Sequence, residues 1–240
     1  MTKETALTTF KNCVDLFRSK DIPFENIGLN GETQIKINYN ELTKSIQIVY
    51  QGTLSVFDTL MDLFFFPRIR KTKCVTHNSS SCDSLFKHSG FDMVYDHCKH
   101  YILSQVDELL KTHPECKTIS QFGWSLGATT ATQMHLLLTE GYSDLVTVNT
   151  VTIGSPRIFF NPIFTPWKLS KWKYAKSLTE NLTMFRNKLD LIPRLPPVLF
   201  GFIHVKKAIV LKQPIKEMFD IIMNHELSRY EKNIEKYCMV

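Results

Sequence analysis

A serine flanked by glycines, at the junction of a predicted strand and a predicted helix, constrains this chain more than any other feature. Residues 117–122 (KTISQF) are typical of a short buried strand, and residues 126–141 have the apolar spacing of a helix. Between them, residues 123–127 (GWSLG) match the pattern Gly-x-Ser-x-Gly. A sharp strand-to-helix turn of this kind presents the serine hydroxyl at the carboxyl edge of a sheet, above the helix N-terminus. The stretch therefore predicts that Ser125 is a nucleophile rather than an ordinary turn serine.

Strand-like and helix-like segments alternate along the rest of the chain. The predicted strands are residues 44–52, 117–122, 145–154, 182–187 and 204–211, and the predicted helices are residues 5–19, 91–111, 126–141 and 214–237. Gly141 stands where a helix-ending glycine is expected. This alternation predicts an α/β fold in which helices cover both faces of a mostly parallel sheet. Because no repeat or linker interrupts the pattern, residues 1–240 form one predicted domain, in which residues 1–43 are an N-terminal helix and lead-in.

Charge and composition exclude several classes of protein. The formal net charge of +6 is spread along the chain without a basic stripe, which argues against nucleic-acid binding and mildly favours an anionic membrane surface. The first residues lack the apolar core of a signal peptide, and no uncharged apolar run is long enough to span a membrane. The six cysteines are unevenly spaced, as in proteins with reduced thiols. We therefore expect an intracellular, cytoplasmic protein whose contact with membranes is peripheral.

A nucleophilic serine needs a base and an orienting acid, and the chain offers both in the order Ser, Asp, His that this type of turn requires. Asp190 follows the predicted strand 182–187, in a loop that contains several prolines. His225 lies near the C-terminus of the chain. From the residues alone, a turn carboxylate at Asp190 and a solvated helical histidine at His225 remain open alternatives.

Several motifs, in order, resemble those of the class 3 (fungal-type) triacylglycerol lipases, a family of α/β-hydrolases. They extend over most of the chain and are residues 49–67 (VYQGTLSVFDTLMDLFFFP), 88–91 (HSGF), 123–131 (GWSLGATTA), 152–157 (TIGSPR), 186–197 (RNKLDLIPRLPP), 200–204 (FGFIH) and 224–230 (NHELSRY). The resemblance implies a single α/β-hydrolase domain with a mostly parallel central sheet flanked by helices and a short helical lid.

The resemblance also implies roles for individual residues. It makes Ser125 the nucleophile, Asp190 the acid and His225 the base of a catalytic triad. The implied oxyanion hole consists of Thr53 and Leu126, the latter being the residue directly after the nucleophile. Residues 54–67 correspond to the lid, whose implied substrate-binding side chains are Val56, Leu60, Leu63 and Phe64.

The chain departs from the family pattern at several positions. Trp124 stands in place of the family's usual His, Ala128 in place of its second Gly, and Gln51 where Arg is common. Neither Trp124 nor Ala128 supplies a reacting atom, so these departures bear on substrate preference more than on activity. The interval that precedes His225 is short for the family, which leaves His204 as a rival base.

The leading interpretation is a serine carboxylic-ester hydrolase, a lipase that cleaves acylglycerol esters through an acyl-enzyme without metal or cofactor. Aromatic side chains interleaved with lysines in residues 159–177 suit a membrane interface and leave phospholipase A1 as the runner-up activity, although a solvated helix with packed tryptophans fits the same pattern. A non-catalytic lipase-like interaction module is the alternative outside enzymes. Residues 74–82 and 97–100 contain Cys and His but lack the spacing of a structural zinc site.

Overall fold

A central sheet organises the residues that the computed structural model describes, which are 1–27, 33–51, 69–71, 85–212 and 223–239. The strands in these ranges are β1 (Glu25–Ile27), β2 (Thr33–Asn40), β3 (Ser45–Gln51), β4 (Ile69–Lys71), β5 (Phe86–His88), β6 (Thr118–Trp124), β7 (Thr147–Ile153), β8 (Phe159–Phe160), β9 (Leu182–Asn187), β10 (Phe202–Ile203) and β11 (Ile209–Leu211). A 7-stranded sheet has the order β1-β2-β3-β6-β7-β9-β11, and a 4-stranded sheet has the order β10-β8-β5-β4.

The middle of the larger sheet is parallel. Its strand β6 pairs in parallel with β3 and with β7, and β9 pairs in parallel with β7 and β11. Among the described strands of this sheet, the antiparallel pairs are β1 with β2 and β2 with β3, at one edge. Strand β9 coincides with the predicted strand 182–187, and β3, β6 and β7 overlap the strands predicted around them. The prediction of an α/β fold with a mostly parallel central sheet is therefore confirmed.

Helices cover both faces of the sheet because successive side chains of a strand point to opposite faces. The α-helices in the described ranges are α1 (Lys3–Arg18), α2 (Ser89–Thr112), α3 (Leu126–Tyr142), α4 (Leu169–Ser177) and α5 (Leu227–Cys238). On one face, Ile46 and Ile48 of β3 pack with apolar residues of α2 and α3. On the other face, Val49 packs with residues of α1 and α5. In the described ranges no helix has the length and apolar character needed to cross a membrane.

The N-terminal segment is part of the core. The side chain of Thr2 caps α1 by accepting a hydrogen bond from the N–H of Thr5 (3.1 Å). At the other end of α1, the ammonium of Lys36 on β2 donates to backbone carbonyls of the last turn. Phe10 of α1 packs edge-to-face on Phe122 of β6, with ring centroids 5.4 Å apart. The helix lies where it was predicted, but the lead-in after it contains β1 and β2, which the sequence analysis did not assign.

Two loops leave the carboxyl edge of the central sheet, one after β7 and one after β9. The first contains β8 and the second contains β10, and these two strands pair with each other. Arg157 on the first loop donates from Nη1 to the carbonyls of Arg194 and Pro196 on the second, the latter at 2.9 Å. The two loops therefore form one joined unit at the edge of the sheet where the predicted nucleophile lies.

Predictions about the ends of three elements are wrong. Helix α3 continues through Gly141, so this glycine does not end it. The predicted strand 204–211 is shortened to β11. His204 and Lys206, which precede it, donate hydrogen bonds from their side chains to backbone carbonyls of other loops. The described part of the predicted helix 214–237 begins with a 3₁₀ turn, and its α-helix starts only after Glu226, which has extended backbone angles (φ −69°, ψ 144°).

Replacing Gly141 by alanine should stabilise the protein. A Cβ atom at this position meets no other atom within 4 Å, and glycine inside a helix costs about 0.5–1 kcal/mol relative to alanine. Denaturant titration of Gly141→Ala should therefore show a rise of that size in the free energy of unfolding. The matched variant Gly127→Ala, in the same helix, should lose stability because its Cβ would lie 2.3 Å from the carbonyl oxygen of Tyr50. A lower stability for Gly141→Ala would contradict the assignment of residue 141 to the helix.

Candidate active site

The turn at Ser125 joins strand and helix through a single residue. β6 ends at Trp124 and α3 begins at Leu126. Ser125 itself has φ 57° and ψ −123°, a backbone conformation that residues with side chains rarely adopt. Its N–H donates to the carbonyl of Ile153 (3.1 Å), which fastens the turn to the end of β7. The strained conformation persists because strand pairing on one side and the helix on the other leave the residue no alternative.

The two glycines of the turn are required by the close approach of three elements. A Cβ atom at Gly123 would lie 2.6 Å from the carbonyl oxygen of Gly127 and 2.7 Å from Cα of Ala128. A Cβ atom at Gly127 would lie 2.3 Å from the carbonyl oxygen of Tyr50, near the end of β3. No side chain fits at either position, so the Gly-x-Ser-x-Gly pattern has a steric cause in this fold.

Ser125 lies at the positive end of a helix. The residue is 4% exposed, and its side chain makes no capping hydrogen bond to α3. Leu126 is the first residue of this helix, so its N–H has no acceptor within the helix. The dipole of α3 favours negative charge at this end. The turn thus places a hydroxyl beside a backbone donor that the helix does not use.

Asp190 and His225 are brought together although they are far apart in the chain. Nδ1 of His225 donates to Oδ2 of Asp190 at 2.8 Å, and the carboxylate is fully buried. The same oxygen accepts a hydrogen bond from the hydroxyl of Tyr230 (2.6 Å), and Oδ1 accepts one from the N–H of Ile192 (2.9 Å). Burial, and then the Asp190 carboxylate, raise the pKa of Tyr230 well above its ordinary value, so the phenol stays protonated and donates.

A second network holds the chain segment that carries His225. The backbone N–H of Asn187 donates to the hydroxyl of Tyr230 (3.1 Å), and its amide Nδ2 donates to the carbonyl of Asn224 (2.8 Å). Nδ2 of Asn233 on α5 donates in turn to Oδ1 of Asn187 (2.9 Å). Asn187 and Tyr230 lie within motifs that resemble those of the lipases, but no role for them was predicted from the sequence. The signal that could have identified them was a polar side chain at the end of a buried strand, for Asn187, and inside an amphipathic helix, for Tyr230.

His225 lies against the elements that flank Ser125. A Cβ atom at Gly154, the residue after β7, would lie 2.6 Å from Cε1 of His225 and 3.4 Å from Oδ2 of Asp190. On the other side, the indole Nε1 of Trp124 donates to the backbone carbonyl of His225 (2.9 Å), and the two rings are 5.9 Å apart. The ring of His225 is therefore held between the ends of β6 and β7, where Ser125 is also anchored.

The geometry distinguishes the two histidines that the sequence left as rivals. Because Nδ1 of His225 donates to Asp190, Nε2 is left as the basic nitrogen, and this atom is buried without a hydrogen-bond partner. His204 instead contacts the carbonyl of Pro193 through Nε2 (2.9 Å), and burial lowers the pKa of His204 to about 4. The alternative of a solvated, helical His225 is wrong, since the residue is buried in a 3₁₀ turn that precedes α5.

Several residues of the predicted site lie outside the described residues. They are Thr53 of the implied oxyanion hole, the segment 54–67, and its side chains Val56, Leu60, Leu63 and Phe64. The described chain reaches the turn at Gln51, whose carbonyl carbon is 3.0 Å from the position of a Cβ atom at Gly127. Within the described ranges no group of three or more His, Cys, Asp or Glu side chains has an arrangement that could hold a metal ion, and residues 74–82 lie outside those ranges.

Removal of the Tyr230 hydroxyl should destabilise the protein measurably. Tyr230→Phe leaves the buried Asp190 carboxylate with one donor fewer, and hydrogen bonds to charged groups contribute about 1.5–3 kcal/mol. We expect the free energy of unfolding, measured by denaturant titration, to fall by roughly that amount. The control Tyr237→Phe, on the same helix and packed edge-to-face on Phe185, should change it by less than about 0.5 kcal/mol. Equal losses in the two variants would show that the contact with Asp190 contributes nothing.

Known proteins share both sequence and fold with this chain. A lipase of Rhizomucor miehei is 28% identical over 176 residues, which are 72% of this chain and 43% of that protein. A lipase of Rhizopus niveus is 29% identical over 164 residues, which are 67% of this chain and 37% of that protein. The chain thus spans about two fifths of the length of these relatives.

Solved structures of fungal lipases have the same fold. Lipase II from Rhizopus niveus superposes with a TM-score of 0.61 at 23% identity, over 86% of this chain and 76% of that one. The native lipase–propeptide complex of Rhizomucor miehei superposes with a TM-score of 0.63 at 23% identity, over 88% of this chain and 67% of that one. Residues 47–200, well over half of the chain, match the family described as Lipase (class 3). The chain is therefore a member of the class 3 lipase family.

Proposed function

We propose that this protein is a serine carboxylic-ester hydrolase, a lipase that cleaves the ester bonds of acylglycerols. The observation that carries the proposal is the buried hydrogen bond between Asp190 and His225, whose Nε2 has no hydrogen-bond partner. The imidazole lies against the two elements that flank a serine in a strained strand-to-helix turn. A serine hydroxyl is a weak nucleophile, and a histidine oriented by a carboxylate is the usual means of activating it.

The first step would transfer a proton within this group. Nε2 of His225 would take the proton of Ser125 as Oγ attacks the ester carbonyl. Asp190, which accepts the hydrogen bond from Nδ1, would hold the productive tautomer and stabilise the imidazolium. Because the carboxylate is buried and already accepts hydrogen bonds from Tyr230 and Ile192, it has a fixed position before substrate binds.

The negative charge on the carbonyl oxygen would be stabilised at the N-terminus of α3. The N–H of Leu126 is one donor, and we propose Thr53 as the second. Collapse of the tetrahedral intermediate would leave the acyl group on Ser125, while His225 returns its proton to the leaving alcohol. A water molecule, deprotonated by His225, would then release the fatty acid and regenerate the serine. Loss of one oxyanion donor in such a site lowers turnover by about 10²–10³.

The substrate class rests on family membership and on apolar surroundings. We propose that residues 54–67 act as a lid whose side chains Val56, Leu60, Leu63 and Phe64 contact the acyl chain. A phospholipid cleaved at its first ester is the second candidate. The basic and aromatic segment that includes α4 favours it, since lysines there are exposed beside aromatic rings.

Substitution of the triad should abolish ester hydrolysis. In an assay with p-nitrophenyl esters of short and long acyl chains, Ser125→Ala and His225→Ala should each lower kcat/KM by at least about 10³, because the two residues act as one unit. The control His204→Asn should retain activity at pH 7. The low pKa of His204 and its hydrogen bond with the carbonyl of Pro193 indicate a structural role and not a catalytic one.

Two outcomes would contradict this assignment. A His225→Ala enzyme that keeps its activity while His204→Asn loses it would transfer the base to His204. The non-catalytic module would be favoured if the wild-type protein hydrolyses neither soluble esters nor emulsified acylglycerols and does not react with an active-site phosphonate. Phosphatidylcholine and triacylglycerol emulsions, compared at equal interfacial area, separate the two substrate classes.

The indole N–H of Trp124 should support catalysis by holding the backbone of His225 in position. Trp124→Phe keeps a ring against His225 but removes the donor to its carbonyl, and we expect kcat/KM towards a short soluble ester to fall roughly three- to tenfold. Trp172→Phe is the matched control, because Trp172 is buried against Phe159 and should leave kcat/KM within about twofold. Trp124→His, which restores an N–H donor, should recover part of the loss. Equal effects in Trp124→Phe and Trp172→Phe would rule out this positioning role.

A further inference from the structure

Large apolar side chains are exposed on two neighbouring segments near the carboxyl edge of the sheet. We call them the docking surface, and its members are Ile163, Phe164, Trp167, Val198, Leu199 and Phe200. Trp167 is 69% exposed and Leu199 is 90% exposed. Single exposed apolar residues are common on soluble proteins, but a contiguous group of them marks a binding surface.

The two segments are joined into one surface by contacts beneath it. The N–H of Asn161 donates to the carbonyl of Gly201 (2.7 Å). The ring of Phe160 lies 5.6 Å from that of Phe164 and 5.9 Å from that of Phe202. Gly201 has φ 84°, and a Cβ atom there would collide with Phe160 at 2.6 Å, so its lack of a side chain permits this contact. Residues 161–169 and 197–201 therefore present their apolar side chains together.

The surface is fixed by local structure. Residues 162–164 and 166–168 form 3₁₀ turns that each begin with proline, and Oδ1 of Asn161 caps the first by accepting from the N–H of Ile163 (3.0 Å). Helix α4 follows directly and is anchored by Trp172 and Ala175, which are buried. Side chains on a rigid frame lose little conformational freedom when they bind, which favours a preformed contact surface.

Lysine side chains outnumber acidic side chains around the docking surface. Lys171, Lys173 and Lys176 on α4 are exposed, and Lys168 is half-buried next to the ring of Phe86. No Asp or Glu occurs in residues 145–179. In the second loop, Asp190 is the one acid between residues 181 and 200, and it is buried. Glu140, which contacts the side chain of Tyr174 on α4, and the exposed Glu180 are the acids next to this helix. The face is therefore apolar at its centre, and lysines predominate at its rim.

The position of the docking surface relates it to the candidate active site. Its two segments belong to the loops that follow β7 and β9, which Arg157 joins through the carbonyls of Arg194 and Pro196. The same loops carry Gly154, which contacts His225, and Asp190. A partner that binds the docking surface is thus brought to the edge of the sheet that bears Ser125.

We propose that the docking surface binds the protein to an anionic lipid bilayer. Aromatic and aliphatic side chains insert at the boundary between head groups and acyl chains, while lysines extend to the negatively charged head groups. An apolar protein partner would not require the surrounding lysines. The inference deepens the proposed function, on which its biological purpose rests, by stating which lipid surface the protein binds and through which residues.

The test measures binding of Ser125→Ala protein, so that lipid is not consumed and the result does not depend on hydrolysis. The probes are vesicles of phosphatidylcholine alone and of phosphatidylcholine with phosphatidylserine, at low ionic strength. The chain contains three tryptophans, of which Trp124 is half-buried and Trp172 buried, so a change in emission on binding reports Trp167. We expect a blue shift and co-sedimentation with the anionic vesicles, both weakened by added salt.

Two pairs of variants locate the contact. Trp167→Ala with Leu199→Ala should lower partitioning into anionic vesicles by at least about tenfold. Lys171→Gln with Lys173→Gln should lower it by about fivefold for each lysine. The matched controls are Leu42→Ala with Leu145→Ala, which are exposed in the turns that precede β3 and β7, and Lys111→Gln with Lys117→Gln. These positions lie towards the opposite edge of the sheet, so the controls should bind as the parent does.

Three results would overturn the proposal. They are the absence of binding to anionic vesicles, equal binding to neutral and anionic vesicles, and equal losses in the surface variants and their controls. Self-association without lipid that Trp167→Ala with Leu199→Ala abolishes would assign the surface to a second copy of the chain. If the wild-type protein hydrolyses esters but its Ser125→Ala variant does not bind vesicles, only the docking proposal is refuted. If the wild-type protein is inactive but its Ser125→Ala variant binds vesicles, only the proposed hydrolase activity is refuted.

Discussion

The buried carboxylate of Asp190 is the constraint on which the rest of the site depends. An ionised carboxylate removed from water is strongly destabilising unless its oxygens accept hydrogen bonds. Here Oδ2 accepts from His225 and Tyr230, and Oδ1 accepts from the N–H of Ile192. Ile192 is two residues from Asp190, whereas His225 and Tyr230 belong to the C-terminal segment, so satisfying the charge fixes where that segment lies.

This requirement explains why the C-terminal helix packs where it does. Tyr230 and Asn233 on α5 reach the end of β9 through Asp190 and Asn187. Asn187 also holds the carbonyl of Asn224, next to His225. The position of the histidine is thus specified by hydrogen bonds from its neighbours as well as by its own contact with the carboxylate. A site built in this way is organised before substrate arrives, which is the condition for effective proton transfer.

The serine side of the site depends on close packing instead of charge. At Gly123 and Gly127, strand β6, helix α3 and the end of β3 come too close together for any side chain. The same absence of a side chain at Gly154 leaves room for the ring of His225. Steric space and buried charge together bring the two halves of the site to one edge of the sheet. The loops that leave this edge also carry the exposed apolar and basic residues, so chemistry and surface recognition share one support.

Local features of this protein could be predicted from its amino-acid sequence. The apolar runs and their periods were enough to place β3, β6, β7, β9 and α1 to α3, because these patterns involve neighbouring residues. The strand–turn–helix pattern indicated Ser125, whereas the roles of Asp190 and His225 came from the family resemblance. The end of α3 could not be predicted, since a glycine inside a helix and one that ends it look alike in sequence.

The hydrogen-bond partners of the site residues became known only from the folded structure. Asp190 binds His225 and not His204, and Tyr230 binds both Asp190 and the N–H of Asn187. The indole of Trp124 donates to the carbonyl of His225. These contacts join residues far apart in the chain, and their energies come from burial and from hydrogen bonds that exist only when β6, β7, β9 and α5 have packed together.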